Sequence, residues 1–182
     1  MAKLRQLVLK QALAEPFWDA FIALDVDWRG LRDSDLWQAF ALGVLTNASA
    51  VFANSKYRTS GGKCLPYDLS AVEPAMGSSM YGNLHRNCLL SVESGFGGVG
   101  IYFAEALRLS GASYSLGRWW LKRPLQLKTE HQPFNARVFR YAQSVGQPVL
   151  LDGRFKPVYF WGDERTITSP RKHLSLRGSK NN

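Results

Sequence analysis

The 182-residue sequence predicts an α+β fold, with N-terminal helices followed by a mixed, mostly antiparallel sheet domain. Three observations carry that expectation. The N-terminal third is dominated by apolar residues at helical spacing, above all from Asp35 to Ala53. The last third instead holds short strand-like runs, led by "QPVLLDGRFKPVYFW" at 147–161. No alternation of strand and helix joins the two parts, which argues against a doubly wound sheet.

The elements follow in chain order. Residues 3–14 read as a short amphipathic helix with Leu4, Leu7 and Val8 on one side. Pro16 suits the first turn of a second helical run, "PFWDAFIAL". "DVDWRGLRD" is a polar break, and Ser34 is placed to cap the helix from Asp35 to Ala53. Trp37, Phe40, Ala41, Val44, Leu45, Ala48 and Val51 form its apolar face. "NSKYRTSGGKCLPYD" reads as a loop, and Tyr81 to Trp120 as mixed structure. Pro148–Leu151 and Arg154–Trp161 are expected to pair as a hairpin through the turn residues Asp152-Gly153. Three segments result: a helical segment over 1–55, an α+β nucleotide-binding or catalytic domain over 56–170, and a basic flexible tail over 171–182.

Composition narrows the function classes. Hydrophobic residues make up 46% of the chain, with six Trp, ten Phe and seven Tyr, which is enough for a packed core and excludes wholesale disorder. The net charge of +9 is unevenly placed. Residues 1–100 carry nine basic and nine acidic side chains, whereas 101–182 carry fourteen and five. The excess thus sits in the second half, as expected of a surface for nucleic acid or for an acidic protein. The two cysteines, Cys64 and Cys88, make neither a disulfide framework nor a metal spacing, and no metal is expected. With no apolar leader and no membrane-length run, the expected location is the cytoplasm.

The most visible motif is G-x-G-x-x-G at Gly95, Gly97 and Gly100. A dinucleotide-binding loop would need an acidic residue about twenty positions on to hold a ribose, and Ser113 to Thr129 contains none. The glycines then read as a bend into a buried segment.

The residues after the bend carry more. "GVGIYFAEALRLSGASY" resembles the G-x-G-I-Y-F-A signature of ADP-ribosyltransferases of the poly(ADP-ribose) polymerase and diphtheria-toxin type. Gly98, Gly100, Ile101, Tyr102, Phe103 and Ala104 match in order, and "YGNLHRNCLLSVESGF" upstream is similar to the family's His-Gly strand. The resemblance covers about 35 residues and implies NAD-dependent transfer of ADP-ribose to a protein or nucleic acid. It implies that Tyr81, Gly82, Tyr102, Ser110 and Tyr114 hold NAD, with Tyr102 also at the reacting end and Glu164 as the catalytic carboxylate. Tyr81 stands where the family has His, and His85 lies four residues further on as a substitute. Flat aromatic walls suit a nicotinamide ring, and a carboxylate suits the positive charge that develops on the ribose.

A second motif competes for the same segment. "GNLHR", Gly82 to Arg86, is similar to the G-x-x-H-R nucleotide-binding turn of the ParB/sulfiredoxin superfamily, which includes plasmid fertility-inhibition factors. That resemblance implies ATP rather than NAD, gripped by His85 and Arg86, with ATPase or nuclease activity on DNA and a role in blocking plasmid conjugation.

The third reading is a non-catalytic basic binding module. "GRWWLKRPLQLK" sets Arg118, Lys122 and Arg123 around Trp119 and Trp120, and "FNARVFRYAQ" sets Arg137 and Arg140 among Phe134, Phe139 and Tyr141. Single-stranded nucleic acids are bound by such interleaving, cations for phosphates and rings for bases. The alternative is that the rings are core and only the charges face solvent.

Overall fold

The computed structural model describes residues 2–25, 31–58, 64–66, 72–74, 88–114 and 130–160. Helix α1 spans Ala2–Ala14, strand β1 Ala20–Leu24 and helix α2 Asp33–Leu45. Strands β2 (Ala50–Ala53), β3 (Lys56–Arg58), β4 (Cys64–Pro66), β5 (Val72–Pro74), β6 (Leu89–Gly95) and β7 (Val99–Phe103) follow. The chain then forms helices α3 (Ala104–Leu109) and α4 (His131–Val145), and strands β8 (Val149–Asp152) and β9 (Val158–Phe160).

The main sheet has six strands in the order β1-β7-β2-β8-β6-β5. All its pairs are antiparallel except β2 with β8. A smaller sheet, β4-β3-β9, pairs β3 with β9 in parallel. The fold is α+β with a mostly antiparallel mixed sheet, as the sequence predicts.

Side-chain alternation divides the core in two. Along β2, Ala50 and Phe52 face one cluster and Val51 and Ala53 the other. Tyr102, Val149 and Leu151 join the first cluster with Leu9 of α1, Leu107 of α3, and Phe134 and Val138 of α4. Val99, Ile101 and Leu150 join the second, beneath Ala39, Leu36 and Phe40 of α2. The central strands are buried on both faces, so they read as continuous apolar runs rather than as alternating ones.

Five local expectations are corrected. "AFIAL" is strand β1 and not a helix: the five-residue apolar run is too short for a helix of its own and pairs along its whole length with β7. Helix α2 stops at Leu45, because Asn47 takes a left-handed φ of 51° and the Ala48 amide returns to the Gly43 carbonyl at 2.8 Å. Its cap is Arg32, without a side-chain cap bond, rather than Ser34. On α1, Leu4, Leu7 and Val8 face outward and Leu9 is the fully buried side chain. Residues 1–55 therefore supply two strands, β1 and β2, to the main sheet as well as two helices.

The expected hairpin is the fifth correction. Strands β8 and β9 form, but they lie in different sheets. After β8 the Arg154 amide donates to Asp152 Oδ1 at 2.9 Å, which turns the chain. Phe155 buries in the second core cluster. The Asn54 and Lys56 amides then donate to the Phe155 and Pro157 carbonyls. β8 and β9 thus run alongside β2 and β3, with residues 153–157 opposite 54–55.

The glycine bend has a steric reason. β6 pairs with β8 and β5, whereas β7 pairs with β1 and β2, so the 96–98 turn must carry the chain across the ends of β2 and β8. A Cβ at Gly97 would lie 2.5 Å from the Ala53 carbonyl oxygen, and one at Gly95 would lie 2.9 Å from the Phe52 ring. Gly98 has a φ of 80°. A strand follows these glycines, not the helix that a phosphate-binding loop opens.

Candidate functional site

Two groups of polar residues stand out among those described: a buried network under α1 and an exposed cationic face on α3 and α4.

The buried network begins at Tyr102. This residue is 0% exposed, and its hydroxyl donates to Asn135 Oδ1 at 2.8 Å. Asn135 Nδ2 in turn donates to Ser94 Oγ at 2.9 Å. All three side chains are buried, so the network links β7, α4 and β6 through satisfied hydrogen bonds. Phe52 and Phe134 meet the Tyr102 ring edge-on, at 5.6 and 5.2 Å. Burial, and then the neighbouring Tyr114, raise the Tyr102 phenol well above its ordinary value.

Tyr114 is 4% exposed and stacks face to face on Phe134 at 4.2 Å. Its amide donates to Gln6 Oε1 of α1 at 2.6 Å. Burial raises its phenol as well. The two tyrosines thus converge on Phe134 and present no open slot between them for a flat ligand. Ser110 ends α3, where its Oγ donates to the Leu107 carbonyl and accepts from the Ala112 amide at 3.2 Å.

Arg5 of α1 centres a second, charged cluster. One arm of its guanidinium donates to Asp25 Oδ1 at 2.5 Å. The other donates to Glu130 Oε1 and, at 2.8 Å, to His131 Nε2. An imidazole that accepts at Nε2 carries its proton on Nδ1, and this nitrogen has no hydrogen-bond partner. His131 stacks on Phe96 at 3.5 Å. Burial, and then the Arg5 charge, push its pKa down to about 3, so the ring is neutral at pH 7.

The exposed face is built by α3 and α4. Helix α4 buries Phe134, Asn135, Val138 and Ala142, which leaves Arg137 and Arg140 on the outer side. Arg137 Nη1 donates to the Gly111 carbonyl at 2.6 Å, and Arg140 Nε to the Ala136 carbonyl at 3.2 Å. Leu109, Ser110, Arg137, Arg140, Tyr141 and Ser144 line an open groove of about 460 Å³. Arg108 of α3 lies over the Trp18 ring at 4.5 Å and donates to the Glu15 and Pro16 carbonyls. Among the described residues no carboxylate pairs with Arg108, Arg137 or Arg140. Glu105 is occupied by the Tyr141 hydroxyl, at 2.9 Å.

No family model matches the chain, and no curated protein is similar to it in sequence.

Of the residues expected to hold NAD, Tyr102 and Tyr114 are brought together, but as core, and Ser110 caps a helix beside the groove. Tyr81, Gly82, His85, Arg86 and Glu164 lie outside the described residues, as do Arg118, Trp119, Lys122, Arg123 and the 171–182 tail. Arg137 and Arg140, expected to bind a target, both line the groove. Arg5, Asp25, Glu130, His131, Asn135 and Arg108 were not singled out from the sequence. Only α4 gave a legible signal, in the spacing of Phe134, Val138 and Ala142.

Proposed function

We propose that the protein binds single-stranded nucleic acid through the outer face of α3 and α4. The observation that carries this reading is the exposed set Arg108, Arg137 and Arg140, which no described carboxylate neutralises. Guanidinium groups held by backbone carbonyls keep donors free for phosphate oxygens and need no carboxylate to be displaced first. Tyr141, beside them in the groove, offers a ring for a base.

The chain between the two helices supports the same reading. Residues 115–129 carry Arg118, Lys122, Arg123 and Lys128 with Trp119 and Trp120, and no acidic residue. The residues on either side of that segment lie together: the Tyr114 and His131 rings are 5.6 Å apart.

ADP-ribosyl transfer from NAD, implied by the resemblance at 98–104, would draw on Tyr102 and Tyr114, both of which serve the core. The nucleotide turn at 82–86, which implies ATP, lies outside the described residues. Fluorescence anisotropy of labelled single-stranded DNA and RNA, duplex DNA and an acidic peptide, at low salt, tests the proposal. Tightest binding is expected for the single strands. Equal binding of the acidic peptide would move the assignment to a protein partner.

A further inference from the structure

Phe17 is 95% exposed, more than any other large apolar side chain described. A lone exposed ring is ordinary on a protein surface, but this one is held in place. Pro16 precedes it with a fixed φ, and the backbone on both sides is tied down. The Glu15 and Pro16 carbonyls accept from Arg108 Nη2 at 3.1 and 3.0 Å, and the Asp19 carbonyl accepts from the Ala104 amide at 2.9 Å. Trp18, the next residue, turns inward. Its Nε1 donates to the Ala12 carbonyl at 2.7 Å, and its ring packs against the first core cluster. The chain between α1 and β1 thus half-buries one ring and holds the other out in water, already ordered.

The ring stands beside a cation. Arg108 uses only Nη2 on the two carbonyls, so Nη1 and Nε have no hydrogen-bond partner among the described residues. Leu109, the next residue, lines the groove that holds Arg137, Arg140 and Tyr141. Glu105 accepts from the Tyr141 hydroxyl. Both exposed aromatics are therefore anchored to α3, Tyr141 through Glu105 and the Phe17 turn through Arg108. Those two anchors are roughly 4.5 Å apart along the helix. Each end of this face repeats one chemistry, a ring next to a guanidinium that has donors to offer.

That repeat says which partner fits. Single strands are held by cations at phosphates and by rings at successive bases. A base stacks on one ring and needs no wider apolar surface, and Phe17 is flanked by the exposed Glu15 and Asp19. Resting on the reading of the α3 and α4 face as a single-strand site, we propose that Phe17 is its second base-stacking platform, with Arg108 holding an adjacent phosphate. The bound strand then runs across α3, from the Tyr141 groove to the turn before β1. A ring ordered before binding loses little conformational freedom on contact, so the stacking is retained as affinity.

The test is fluorescence anisotropy of labelled single-stranded DNA with the full chain and three variants. Phe17→Ala should weaken binding by about tenfold and leave the slope of log K against log salt unchanged, because the ring carries no charge. Phe17→Trp should restore the affinity, whereas Phe17→Leu, apolar but not flat, should not. All three should keep the parent's unfolding midpoint, as expected of a ring that stands in water. Undiminished binding by Phe17→Ala would overturn the proposal and leave the Arg137 groove intact as the site. So would a lowered midpoint, which would place the ring against the protein, or a loss of binding confined to phosphatidylserine vesicles, which would make it a membrane contact. Failure of the unaltered chain to bind any single strand would overturn both readings together.

Discussion

Arg5 and His131, 126 positions apart in the chain, meet where a guanidinium proton is donated to imidazole Nε2 at 2.8 Å. This contact requires a neutral ring. The unfolded chain protonates His131 near its ordinary value of 6.5, while the folded chain resists protonation until about 3. Stability from this group is therefore complete above pH 6.5 and is lost progressively as pH falls toward 3. The slope is about 1.4 kcal/mol per pH unit, or roughly 2 kcal/mol by pH 5. Chemical denaturation at pH 7, 6 and 5 should show this decline, and His131→Phe, which keeps a ring against Phe96, should flatten it. Equal slopes in the two proteins would contradict the assignment.

Arg5 also balances Asp25 and Glu130 from a position only 20% exposed. Arg5→Met keeps much of the side-chain bulk and removes the guanidinium that both carboxylates accept from. The expected cost is about 2–4 kcal/mol in urea unfolding, because a half-buried cluster of two carboxylates loses the cation that they share. A change below 1 kcal/mol, on the scale of an exposed pair, would show that the cluster is not buried in solution.

The two tyrosines should respond differently to loss of the hydroxyl. Tyr102→Phe leaves Asn135 Oδ1 buried without its donor and should cost about 1–3 kcal/mol. The Tyr114 hydroxyl has no such partner, so Tyr114→Phe should cost less than about 1 kcal/mol. The order of the two unfolding midpoints is the readout.

Gly97→Ala should be damaging for a steric reason. Its Cβ would meet a backbone oxygen, which cannot rotate away as a side chain can. A loss of about 1–3 kcal/mol is expected in thermal or urea unfolding. A neutral substitution would show that the bend does not cross β2 as closely as described.

The fold class was legible because local apolar patterning is a local quantity. Helix α1 and the start of α2 follow from it to within two residues. What failed depended on partners. Ala50 to Ala53 is buried on both faces, so it continued the apolar pattern of α2, and only Asn47 marked the break. Asp152-Gly153 looked like a hairpin turn, but β2 and β3, a hundred residues earlier, capture β8 and β9 in parallel. The same limit applies to the site. Arg137 and Arg140 could be nominated from charge, because exposed cations need no partner to be recognised. The Arg5, Asp25, Glu130 and His131 cluster assembles three distant segments, and no spacing rule joins them.

The central claim is that Arg137 and Arg140 contact phosphates. The most direct test is the salt dependence of single-stranded DNA binding by the unaltered chain and by an Arg137→Ala/Arg140→Ala double variant. Each phosphate contact on a single strand contributes about 0.7 to the slope of log K against log salt, so the double variant should lose about 1.4 from that slope while its unfolding midpoint stays close to the parent's. An unchanged slope, or binding that does not weaken with salt in either protein, would contradict the account.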